Sequence, residues 1–115
     1  MNSVRLYYLK HQGEKELALI SEQQVKQWMS ELSLLKQDSV SRLIHNSDRM
    51  ASLLATRLLL MCAQHEDIKE FRLHNIQYPD KARPSWKGEK GDFFDFNISH
   101  SDKMVVVAAS KTLNV

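Results

Sequence analysis

The stretch Asn97-Ile98-Ser99-His100-Ser101 sets one imidazole between two hydroxyls, and two apolar runs flank it. Serine hydroxyls, an imidazole N–H and the backbone N–H groups of a turn all donate hydrogen bonds to phosphate oxygens. A His at the mouth between two strands can also act as a general base. The competing reading is a plain turn in which Ser99 and Ser101 satisfy nearby backbone groups. These five residues alone favour the turn. A Ser nucleophile of the hydrolase type has no support, because no G-x-S-x-G is present.

Two further groups could hold an anion. Asp80-Lys81-Ala82-Arg83-Pro84-Ser85-Trp86-Lys87 combines three cations, a rigid Pro and an aromatic ring. Arg grips phosphate bidentately and Trp stacks on a base. The alternative is a solvated loop whose Trp folds back on the core. Arg49 and Arg57 are eight residues apart, a little over two helical turns, and project from nearly one face. They could equally snorkel from a buried helix or pair with acids. His11, His45, His65 and His74 show no ligand spacing, so a metal site built from them is not expected.

The elements that must carry these groups are readable from pattern. Val4 to Leu9 reads as a strand, alternating at Val4, Leu6 and Tyr8. Ser21 with Gln24 forms a capping box at a helix start, and Val25, Trp28, Met29 and Leu32 follow on one face. From Lys36 to Gln64 there is no Gly or Pro, which predicts helix throughout, with Asn46-Ser47-Asp48 able to cap a fresh helix in its middle. Its second half is apolar on most sides, as in a central buried helix. Phe71, Leu73 and Ile76 suggest a strand, and residues 78–91 a long loop of the kind that often carries function. Phe94, Phe96 and Ile98 alternate with polar residues in a half-buried strand, and Met104 to Ala109 reads as a strand buried on both faces. The last two pair as a hairpin across Ser99 to Lys103. The order predicts an α+β fold, a small, mostly antiparallel sheet packed on a long central helix.

Totals bound the class. The chain has 115 residues, 43% apolar and 26% charged, which suits one globular domain. A net charge of +2 is too small to argue for nucleic acid. One cysteine, Cys62, permits no internal disulfide and fits a reducing, cytoplasmic setting. The first residues lack a signal peptide's apolar stretch, and no run approaches the ~18 apolar residues of a membrane span.

Taken in order, the first strand, the helix D-R-x-x-S-L-L-A-x-R-x-L-L, the basic Arg83-Pro84 loop and Phe96-Asn97-Ile98-Ser99-His100-Ser101 resemble the N-terminal half of the Sfp-type 4′-phosphopantetheinyl transferases. The last motif matches the family's F-N-L/I-S-H-S almost letter for letter, and Arg83-Pro84 falls where the family shows Gly-Lys-Pro. The resemblance implies one half of a pseudo-twofold fold with coenzyme A in the cleft. It implies transfer of the phosphopantetheine arm to a Ser of an acyl or peptidyl carrier protein, with Mg²⁺ on the pyrophosphate. It places Ser99 and His100 on the phosphates of coenzyme A and Arg83 and Pro84 along the nucleotide. Arg keeps the Lys charge but not its geometry, and Ala82 replaces the loop Gly. The family's helix Arg falls at Ala51, so Arg49, two residues earlier, is the expected substitute.

The family's G-I/V-D-x-E metal and base motif has no counterpart in the chain. The expectation is therefore a single domain equivalent to the N-terminal half, a fragment or one piece of a split protein. On that view the chain is inactive alone, its catalytic and metal residues lie elsewhere, and the uncovered face favours self-association. The alternative is a non-catalytic interaction module that keeps the fold.

Overall fold

The computed structural model describes residues 4–11, 20–43, 45–68, 70–78, 84–87, 93–101 and 103–112. Strand β1 (Arg5–Lys10) is followed by helices α1 (Glu22–Ser30), α2 (Leu34–Ser41) and α3 (Asn46–His65). A 3₁₀ turn (Leu73–Asn75) and strands β2 (Trp86–Lys87), β3 (Phe93–His100) and β4 (Met104–Thr112) complete the order. The strands form one sheet in the order β1-β4-β3-β2, with every neighbouring pair antiparallel. The α+β class and the small antiparallel sheet expected from the sequence are both present.

Helix α3 is the centre. Met50, Ala51, Leu53, Leu54, Ala55, Leu58, Leu59, Cys62 and Ala63 are all buried along it. The sheet covers it with Phe94, Phe96, Val105, Val107 and Ala109, the inward residues of β3 and β4. Phe71 stands edge-on to Phe94 at 5.6 Å and tilted to Trp86 at 5.5 Å, so ring packing joins the segment after α3 to the sheet.

The short helices begin where side chains cap them. Ser21 accepts from the backbone N–H of Gln24 at 3.1 Å, which is half of the expected capping box. Ser33, not anticipated as a cap, accepts from the N–H of Lys36 at 3.2 Å and starts α2. The helical stretch from Lys36 to Gln64 has a break between Ser41 and Asn46, and a fresh helix does start at Asn46-Ser47-Asp48, with His45 as N-cap and no side-chain cap bond. The Arg49 guanidinium closes the break. Its Nε donates to the Leu43 carbonyl at 2.6 Å, and Nη2 reaches the Ser41 carbonyl at 3.5 Å, serving acceptors the ended helix leaves open. Arg57 ties α1 to α3, pairing with Glu31 at 2.7 Å and lying 5.4 Å over the Trp28 ring.

Two expectations change. The strand predicted around Phe71 to Ile76 is a 3₁₀ turn. Pure alternation would put Leu73 and Ile76 on opposite faces, whereas the turn lets Phe71, Leu73 and Ile76 all face the core. Strand β4 is buried on one face only. Val105, Val107 and Ala109 are sealed, while Met104, Val106 and Ala108 on the other face are half-buried. In β1 the alternating set Val4, Leu6 and Tyr8 faces out, 67, 72 and 67% exposed, and Tyr7 and Leu9 pack on the core. The Tyr7 hydroxyl donates to Glu66 Oε1 at 2.8 Å and sits 2.8 Å from His65 Nδ1, fastening β1 to the end of α3.

Candidate functional site: the cavity at the end of β3

The sheet ends at a cavity of about 220 Å³ between α2, α3, Tyr78, Pro84 and the last residues of β3. His100 lines it from the sheet, Pro84 from the loop and Lys36 from α2. Ser52 and Thr56 of α3 form part of the wall, and Tyr78 another. The Thr56 hydroxyl is spent on the Leu53 carbonyl at 2.7 Å. Ser52 is buried at the cavity wall.

Local sequence explains why these groups meet. The Ser33 cap fixes the first turn of α2, and Lys36 is the residue whose N–H the cap receives. Its side chain then crosses to the Tyr78 ring, with the ammonium 5.6 Å from the ring centre. No ion pair joins Lys36 to an acid among the described residues. Burial lowers its pKa below the ordinary lysine value, because a charged ammonium loses water there. Burial pushes the Tyr78 phenol up to about 12, so the ring stays neutral at ordinary pH. An anion entering this cavity would therefore meet an ammonium that no carboxylate among the described residues engages.

His100 is held by the ladder, facing Val105 of β4, and the Ser101 N–H closes the hairpin on the Met104 carbonyl at 2.8 Å. The pleat separates the two motif residues. His100 shares the face of Phe96 and Ile98 toward α3, whereas Ser99 shares the opposite, exposed face with Asp95 and Asn97. So the cavity brings together two of the sequence-predicted residues, His100 and Pro84. Ser99 lies across the sheet from it. Arg49 lines a different groove, beside Val25, Met29 and Val40, with its guanidinium on the Leu43 and Ser41 carbonyls. Arg83 lies outside the described residues. The loop's aromatic is no stacking platform, because Trp86 is buried against Phe71.

Lys36 and Tyr78 were not singled out from the sequence. The available signal for Lys36 was Ser33-x-x-Lys36, an N-cap spacing that fixes a first-turn side chain. A larger cavity of about 440 Å³ lies over the last turns of α3, lined by Glu31, Asp67, Phe71, Arg72 and His74. Its lining sets two acids, Glu31 and Asp67, against one arginine, Arg72, and Glu31 is already paired with Arg57. The smaller cavity is the better anion site on charge.

A family model described as "4′-phosphopantetheinyl transferase, N-terminal" matches residues 20–112, which includes all of α1 to α3 and β2 to β4. The chain belongs to the 4′-phosphopantetheinyl transferase family. A search of curated proteins finds no match. The family match begins after β1, so the strand with the exposed apolar face lies outside it, and the cavity residues from Lys36 to His100 lie within it.

Proposed function

We propose that this domain is the coenzyme-A-binding part of a 4′-phosphopantetheinyl transferase, and that the cavity at the end of β3 receives phosphate oxygens of coenzyme A. The supporting observation is that Lys36, a half-buried ammonium with no carboxylate partner among the described residues, shares one cavity with His100 of F-N-I-S-H-S. At about 220 Å³ the cavity takes part of the donor rather than all of it. Pro84, with Arg83 beside it in sequence, would border the nucleotide.

In the reaction the carrier Ser oxygen attacks the β-phosphorus of coenzyme A. The bond from that phosphorus to the leaving 3′,5′-ADP breaks, and the Ser proton would pass to a general base supplied by the second half of the family fold. Lys36 and His100 would bind and orient the phosphates, lowering the cost of gathering negative charge before the attack. The described residues do not fit a Mg²⁺ site, since no three His, Cys, Asp or Glu side chains gather. This domain would contribute its cations, and the metal and the general base would come from the second half of the family fold.

Titration calorimetry of the chain with coenzyme A tests the reading. Measurable binding that drops on His100→Ala and on Lys36→Met supports it. Binding untouched by both substitutions contradicts it.

A second reading rests on the exposed strand face, where Leu6 and Tyr8 stand 72 and 67% exposed. Self-association through that face would make the chain an interaction module. Sedimentation of the wild type against Leu6→Ser with Tyr8→Ser distinguishes the two, since a monomer at all concentrations removes this reading.

A further inference from the structure

We infer that Tyr78 is a positioning residue for Lys36. It would hold the ammonium at the wall of the β3-end cavity through its ring face rather than touch the phosphates itself. The inference rests on the anion-site reading above and adds what sets the cation in place.

Three observations carry it. The Lys36 ammonium lies 5.6 Å from the Tyr78 ring centre, within the range of cation–π attraction. Both side chains line the same cavity, so the ring anchors the ammonium at the place where an anion would enter. No carboxylate among the described residues competes for that ammonium. A lysine side chain has four rotatable carbons and searches widely when free. Here α2 fixes its base through the Ser33 cap, and the ring fixes its tip. A carboxylate in place of the ring would hold the ammonium more firmly but would repel a phosphate. A neutral ring orients the charge and leaves it available.

The backbone supports the ring independently of Lys36. Gln77, the preceding residue, exchanges both backbone hydrogen bonds with Ser85, at 2.9 and 3.0 Å. That bridge joins Tyr78 to the β2 strand and, through it, to β3.

The test uses 3′,5′-ADP as the probe with wild type, Tyr78→Phe, Tyr78→Leu, Lys36→Met and the Lys36→Met/Tyr78→Leu double variant. Tyr78→Phe keeps the ring and should bind within about twofold of wild type, whereas Tyr78→Leu should weaken binding about fivefold. That loss should vanish in the Lys36→Met background, because the ring acts only through the lysine. An equal loss in both backgrounds overturns the inference. A ligand-free measurement separates it from the anion-site reading. The Lys36 ε-methylene protons should resonate upfield in wild type and Tyr78→Phe, and return to the free-lysine position in Tyr78→Leu. If wild type fails to bind the probe but shows this shift, the nucleotide reading fails and the positioning stands. Unshifted ε protons in wild type overturn the positioning, whatever the probe does.

Discussion

Ser99 and His100 are neighbours in β3, yet the pleat sends them to opposite faces of the sheet, His100 toward the cavity and Ser99 toward solvent. Adjacent letters in a motif therefore have unequal access to one ligand. His100→Ala should weaken coenzyme A binding about tenfold or more, the worth of a hydrogen bond to a charged group. Ser99→Ala should change it by less than about threefold. Calorimetric titration of the two variants side by side gives the comparison, and equal losses would contradict the geometry.

The Ser33 cap links stability to the site, because the N–H it receives belongs to Lys36. Ser33→Ala should cost about 1 kcal/mol in urea unfolding. It should also loosen Lys36 and weaken coenzyme A binding, while Ser33→Asp, which restores a cap, should recover both. Recovery of stability without recovery of binding would break the link.

Much of this was legible in the sequence, and the misses have physical causes. Alternation located β3 and the correct inward set Phe94, Phe96 and Ile98, because one face meets α3 and the other water. Alternation located β1 but left its inward face open. Both of its sets are apolar or aromatic, so the pattern alone could not say whether Leu6 and Tyr8 or Tyr7 and Leu9 face inward. The 3₁₀ turn at Leu73 was invisible because buried residues at uneven spacing suit either a strand or a turn. At the site, His100 was readable as a motif letter. Lys36 was not, since its partner Tyr78 lies far along the chain and only folding brings them together. Arg49 looked like a phosphate ligand by charge and place. The helix break that claims its guanidinium follows no Gly or Pro.

Phe94 is fully buried at the meeting point of Phe71 and Phe96, so truncating it opens a cavity that surrounding rings cannot fill. Phe94→Ala should cost about 3–5 kcal/mol. Tyr8→Ser, on the exposed face of the same sheet, should stay within about 0.5 kcal/mol. Denaturant midpoints measure both, and similar costs would contradict the assigned faces.

Alkaline pH should destabilise the fold in a defined window. Burial raises the Cys62 thiol from 9.0 to about 12, so its contribution is full below pH 9.0 and is lost as pH climbs toward 12. Tyr78, raised from 10.0 to about 12, acts in the same direction from pH 10.0 upward. Lys36 acts oppositely, because its lowered value adds stability as pH rises toward 10.5. The predicted outcome is a net fall in the urea midpoint above pH 9, with Cys62→Ala flattening its first part. In the native protein Cys62 should resist a thiol reagent at about pH 8 and react fully once unfolded.

The most direct measurement is a ¹H–¹⁵N spectrum of the labelled chain titrated with coenzyme A. Saturable shifts are expected at Lys36, Ser52, Tyr78, Ile98 and His100, the residues around the β3-end cavity. Shifts confined to Leu60, Asp67, Phe71 and His74, at the larger cavity, would contradict it, as would a spectrum unchanged at saturating ligand.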